Sequence, residues 1–223
     1  MIGAGQVYVE DRIADKSGLL YHCTAKIRLK KRCPYVSRGG LKLEAGLDHF
    51  HINPANWTCL DIGASTGGFS DCLLQRKARK VYAIDVAYGQ LSWKIRQDPR
   101  VVVLERFNVR NISTKDICDE VIDLAVMDVS FISLTTLLLP LIRLFKKEVM
   151  ILALIKPQFE LPREAVGNGG VVTDPALHQK AIEQITQFID ETGLCNAGVI
   201  PSPILGPKGN REFLVLISSH RSS

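Results

Sequence analysis

The sequence predicts an α/β protein: a mostly parallel, seven-stranded sheet covered by helices on both faces, with a late antiparallel strand and a small β-rich segment in front. Three observations carry this. From Thr58 onward strand-like and helix-like patterns alternate, as in a parallel sheet buried on both sides. The stretch Leu60 to Phe69, L-D-I-G-A-S-T-G-G-F, runs from an apolar strand through a glycine-rich turn into a helical pattern. Two apolar runs follow the last helix, and Pro201, Pro203, Gly206, Pro207 and Gly209 lie between them, marking a hairpin-like return.

In chain order, residues 1–30 read as a small β-rich unit. Gln6 to Val9 alternates, Glu10 to Arg12 and Lys16 to Gly18 read as turns, and Ala25 to Lys30 alternates again. A segment of roughly 30 residues cannot bury a stable core alone. Residues 31–38, with Pro34, read as a linker, and residues 39–223 as the main domain. Ser37 is placed to cap a helix whose apolar spacing runs from Leu41 to Leu47 before Asn53-Pro54 breaks it. Strands are expected near 58–62, 80–86, 101–104, 121–128 and 148–155, then near 195–201 and 211–218. Helices are expected near 68–77, 89–97, 134–145 and 175–191.

Composition narrows the function classes. The chain has 223 residues, 46% of them hydrophobic, enough for one good-sized domain with an appendage. The longest charge-free apolar run, Val129 to Ile142, is too short to span a bilayer, and no signal-peptide pattern opens the chain. The six cysteines show no C-x-x-C spacing and read as reduced thiols of a cytoplasmic protein. His49 and His51 have no third ligand nearby in sequence, so no metal site is expected.

The net charge of +5 is concentrated at the front. Residues 1–44 hold nine Lys/Arg and four Asp/Glu, whereas residues 45–223 hold 19 of each. Lys26, Arg28, Lys30, Lys31, Arg32, Arg38 and Lys42 follow one another with no acid between them. Such a stripe beside a neutral domain suits a polyanion, most simply nucleic acid, or else is a solvated linker face.

The glycine loop points to a cofactor. Gly63, Gly67 and Gly68 allow close backbone approach, and free N–H groups at the helix start favour polar ligand atoms. Asp85 ends the next strand, 22 residues after Gly63, the spacing of a carboxylate that binds ribose hydroxyls. The pattern D-x-G-x-x-x-G-G from Asp61 lacks the close glycines that pass a pyrophosphate. It suits a cofactor with an amino-acid tail and no phosphate, such as S-adenosylmethionine. Ligands of open α/β sheets bind beyond the carboxyl ends of the strands. Asp61, Asp85, Asp128 and Lys156 all stand there, and Asn108 lies just beyond the third strand, within reach of a base edge.

The motif order D-I-G-A-S-T-G-G-F, A-I-D-V, M-D-V-S-F, L-I-K-P-Q-F-E and N-R-E-F resembles the FtsJ-like ribose 2′-O-methyltransferases. Y-V-S-R-G-G-L-K-L at Tyr35 to Leu43 is similar to their TlyA, or haemolysin A-like, subgroup. The resemblance implies a Rossmann-like class I fold that uses S-adenosylmethionine. It implies a catalytic tetrad of Lys42, Asp128, Lys156 and Glu212. It implies cofactor contacts at Gly63, Ser65, Gly67, Gly68, Phe69, Asp85 and Asn108, beside the strand-end acids Asp61 and Asp128. It further implies methylation of a cytidine ribose in 16S or 23S ribosomal RNA. Residues 1–30 resemble only the β-rich half of an S4-type RNA-binding domain. The chemistry is consistent with the residues. A ribose hydroxyl is a poor acid, so its attack needs proton removal or strong polarisation, and a lysine kept in a suitable environment can provide either. Lys156 is the candidate base, with Lys42 supplying positive charge and Asp128 and Glu212 orienting the amines. The competing readings are a membrane-lytic protein, a non-catalytic RNA- or ribosome-binding module, and a small-molecule methyltransferase.

Overall fold

The computed structural model describes residues 2, 7–29, 33–167 and 169–219. The chain divides into two compact units, residues 1–34 and 35–223.

The first unit is a three-stranded antiparallel sheet of β1 (Val7–Val9), β2 (Arg12–Ala14) and β3 (Ile27–Leu29), with β1 in the middle. Val7, Val9 and Ala14 form its small core. The turn expected at Glu10 to Arg12 is tighter than the sequence suggests. Glu10 and Asp11 both take positive φ, and Arg12 already pairs with Val9.

The second unit carries a seven-stranded sheet of order β6-β5-β4-β7-β8-β10-β9. Its strands are β4 (Thr58–Ile62), β5 (Lys80–Ile84), β6 (Val101–Leu104), β7 (Leu124–Met127), β8 (Met150–Ile155), β9 (Cys195–Pro201) and β10 (Phe213–Ser218). β6, β5, β4, β7 and β8 are parallel; β10 is antiparallel to both β8 and β9. The reversed strand expected at the end of the sheet is therefore threaded between β8 and β9, and β9 forms the edge.

Side chains alternate across this sheet. On β4, Leu60 and Ile62 join a core with α4 (Leu134–Ile142) and α6 (Pro175–Glu191). Cys59 faces the other core, with α1 (Gly39–His49) and α2 (Gly68–Gln75). Burial on both faces explains the unbroken apolar runs of the central strands. The helix expected over 89–97 shortens to α3 (Trp93–Arg96), because Gly89 takes a positive φ and the chain up to Ser92 stays extended or turned. α4 stops at Ile142 rather than near 145, shortly after Pro140, which lacks the N–H that the helix needs. α1 starts at Gly39 with Arg38 at its cap position, one residue beyond Ser37. Tyr35 and Val36 belong to this unit. The Tyr35 hydroxyl donates to Glu44 at 2.7 Å and the Val36 N–H to Asp71 at 2.8 Å. Among the described residues, no helix is long and apolar enough to cross a membrane.

Candidate active site

The sheet order reverses at β4, with β5 on one side and β7 on the other, and the loops beyond these strands open there. Gly63 follows β4 at φ 80°, and a Cβ at this position would stand 2.8 Å from the Asp128 carbonyl oxygen. The loop after β4 thus passes so close to the end of β7 that only glycine fits. Beyond β5, Asp85 is fixed by its own backbone surroundings. Its Oδ2 accepts the Ser65 N–H at 2.7 Å and its Oδ1 the Ala87 N–H at 2.8 Å.

The reversal of β10 brings the fourth tetrad residue to the same edge. Phe213 pairs with Ile155, so Glu212, just before β10, lies beside Lys156, just after β8. Lys42 arrives from α1 on its buried face. The Lys42 ammonium donates to Glu212 Oε2 at 2.5 Å and lies 3.7 Å from Asp128 Oδ2. Lys156 Nζ is 2.5 Å from Asp128 Oδ1 and donates to Ser130 Oγ at 3.0 Å. The four side chains form one continuous chain of opposite charges, Glu212–Lys42–Asp128–Lys156. Both lysines and Glu212 are buried, and Asp128 is the most accessible member. A brace holds the frame. Glu160, in α5 (Pro157–Glu160), accepts from Ser133 Oγ at 2.5 Å and from the Leu134 N–H at 3.1 Å, tying the turn after Lys156 to the start of α4. Burial raises the Glu160 carboxyl above its usual range despite those donors.

Two cavities meet at this point. The first, about 310 Å³, is lined by Arg38, Lys42, Thr66, Phe69, Lys156 and the 204–207 loop. The second, about 410 Å³, is lined by Asp85, Gln90, Phe107, Asn108, Val109 and Ile132. Gly63, Ser65, Asp128 and Ser130 border both. The second cavity holds two carboxylates, Asp85 and Asp128, and no lysine or arginine among its lining residues. A pyrophosphate would meet the Asp85 carboxylate there with no lining cation to offset it, whereas a cationic nucleoside with apolar faces would be favoured.

The sequence-predicted residues separate as follows. Gly63, Ser65, Asp85, Asn108 and Asp128 line the second cavity. Gly68 and Phe69, expected near the cofactor, line the first, and Gly67 caps α2 at φ 90°. Asp61 faces neither cavity. It is fully buried and its Oδ2 accepts from Ser70 Oγ at 2.6 Å, while its Oδ1 has no hydrogen-bond partner among the described residues. Burial pushes this carboxyl up to about 7, against the lowering effect of Ser70. Asn108 Oδ1 is occupied by the N–H and Nε of Arg110. Of the basic stripe, Lys26 and Arg28 are exposed on the first unit, Arg28 pairing with Asp11 at 3.6 Å, and Arg38 lines the first cavity. Lys30, Lys31 and Arg32 lie outside the described residues. Sequence reasoning missed Ser130 and Thr66. The signal for Ser130 is its place two residues after Asp128 in M-D-V-S-F.

The parallel sheet with one inserted reversed strand, and the paired cavities at its switch point, define a Rossmann-like methyltransferase fold. The chain belongs to the FtsJ-like methyltransferase family, whose model matches residues 35–218. It is 43% identical over 217 residues to the 16S/23S rRNA (cytidine-2′-O)-methyltransferase TlyA of Mycobacterium tuberculosis, covering 96% of this chain and 81% of that protein. It is 41% identical over 214 residues to Hemolysin A of Brachyspira hyodysenteriae, covering 96% and 89%. A crystal structure from Lactococcus lactis with a provisional hemolysin label superimposes with a TM-score of 0.82 at 49% identity, covering 85% of this chain and 90% of that one.

Proposed function

We propose that this chain methylates a ribose 2′-hydroxyl of a cytidine in ribosomal RNA, with S-adenosylmethionine as the methyl donor. The observation that carries the reading is the buried Glu212–Lys42–Asp128–Lys156 chain at the junction of a cation-free acidic cavity and a basic one. The second cavity would hold the cofactor, Asp85 taking the ribose hydroxyls and the apolar lining the base. When bound, S-adenosylmethionine supplies an electrophilic methyl group on a positively charged sulfur.

The acceptor nucleotide would enter the first cavity, where Arg38 offers its phosphate a cation. In its neutral form Lys156 meets the 2′-hydroxyl and takes its proton onto the amine lone pair as the oxygen attacks. Asp128 holds Lys156 in place. Lys42 competes for the same carboxylate, so Asp128 does not fully neutralise Lys156. Glu212 in turn fixes Lys42 and compensates its charge in the interior.

The same reading places the protein in the cytoplasm with ribosomal RNA as its partner. It assigns residues 1–30 to RNA contact through Lys26, Arg28 and Lys30, and residues 31–38, with Lys31, Arg32 and Arg38, to the connection. Calorimetric titration with S-adenosylmethionine, followed by methylation of isolated ribosomal subunits, tests it. Asp85→Ala is expected to weaken cofactor binding. Lys156→Ala is expected to abolish methylation while the cofactor still binds. Normal turnover in Lys156→Ala would sink the assignment.

A further inference from the structure

The proposed mechanism leaves one side chain at the centre of the site without a role. Ser130 borders both cavities and touches the proposed base directly. A lysine ammonium has three N–H positions on a freely rotating group, and its long stem can take many rotamers. Here Asp128 Oδ1 takes one position at 2.5 Å and Ser130 Oγ a second at 3.0 Å, while the side chain is only 6% exposed. Both contacts come from the turn that follows β7, so they are fixed relative to each other. Lys156 lines the first cavity, and its Nζ also stands 6.0 Å from the centroid of the Phe159 ring.

We propose that Ser130 is a positioning residue for Lys156: its hydroxyl oxygen accepts one N–H of the amine and Asp128 another, and the remaining position, the lone pair of the neutral amine, is thereby turned toward the acceptor nucleotide. This rests on the reading of Lys156 as the group that meets the 2′-hydroxyl. A hydroxyl suits the task because its oxygen accepts an N–H without carrying charge. It accepts from the amine before and after the proton transfer, so with Asp128 taking the other N–H the lone pair of the neutral amine stays free for the 2′-hydroxyl proton. With alanine in its place, Asp128 alone holds Nζ, and Asp128 is already shared with Lys42.

The test compares wild type, Ser130→Ala, Ser130→Thr and Lys156→Ala in two measurements. One is methylation of ribosomal subunits at saturating cofactor. The other, independent of activity, is the NMR signal of the Lys156 amine, which hydrogen bonds sharpen by slowing exchange. Ser130→Ala is expected to lower kcat about tenfold, as a small misplacement of a reacting group does. The KM for RNA and the cofactor Kd are expected to stay unchanged, and the amine signal to broaden. Ser130→Thr restores both rate and signal. Because Ser130 is exposed, neither substitution removes core packing. An unchanged amine signal in Ser130→Ala overturns the proposal, whatever the activity. So does a loss that falls on the cofactor Kd, which would make the hydroxyl a cofactor contact, and so does failure of threonine to rescue. Wild-type rate in Ser130→Ala with a dead Lys156→Ala overturns the role of Ser130 alone. Turnover retained in Lys156→Ala overturns the mechanism as well.

Discussion

Lys42 and Glu212 illustrate what a charge costs when it is buried at the residue scale. Their side chains are 8% and 0% exposed, and each needs the other. Removing one member leaves an uncompensated charge, at a cost of about 3–5 kcal/mol, whereas replacing both by apolar groups is often neutral. Lys42→Met is therefore expected to lower the urea unfolding midpoint sharply, and adding Glu212→Leu to recover most of the loss. A double variant no more stable than the single one would contradict this. Asp61 makes a second residue-scale prediction. Burial pushes its carboxyl up to about 7, so the folded protein binds that proton more tightly than the unfolded chain does. Its contribution to stability is complete at acid pH, below the ordinary aspartate value, and is lost as pH rises through about 7. Relative to Asp61→Asn, the wild type should lose stability across that interval in denaturant titrations. A constant difference between the two proteins would refute it.

At the scale of elements, the insertion of β10 between β8 and β9 sets the site. An antiparallel strand next to β8 begins where β8 ends, and this places Glu212 against the α1 lysine. The 204–209 loop must then pass over Glu212, which is why residue 206 is glycine. A Cβ there would stand 2.0 Å from Glu212 Oε1, so the buried carboxylate would have to shift. Gly206→Ala is expected to displace Glu212 from Lys42 and to lower methylation about tenfold or more, a misplacement effect. Cofactor affinity, which the proposed reading assigns to the other cavity, should be unchanged in the same calorimetric titration.

For the whole molecule, the division at Pro34 separates two cores. The methyltransferase unit contains all four tetrad residues and both cavities. A chain of residues 35–223 is expected to unfold cooperatively and to bind S-adenosylmethionine like the full chain, but to hold ribosomal RNA less tightly. RNA affinity of the full chain should fall steeply with salt through release of counterions. Lys26→Ala and Arg28→Ala should each reduce the slope of log affinity against log salt by about 0.7–1. Equal slopes in wild type and variants would remove these two side chains from the RNA contact.

The sequence by itself determined the alternation of strand and helix, the glycine loop after β4, and the acids at the ends of β4, β5 and β7. These are local features: side-chain periodicity and turn chemistry are written within a dozen residues. It also placed Lys156 at the end of β8, with Asp128 and Glu212 to orient the two amines, but did not say which acid meets which amine. Only the tertiary structure decided that Asp61 turns away from both cavities into the core, that β10 enters the sheet inside β9, and that Ser130 touches Lys156. It alone joined Lys42 to Glu212, 170 residues apart in the chain. The order of strands in a sheet and the meeting of distant side chains depend on how whole faces pack together, and no single stretch of sequence records that.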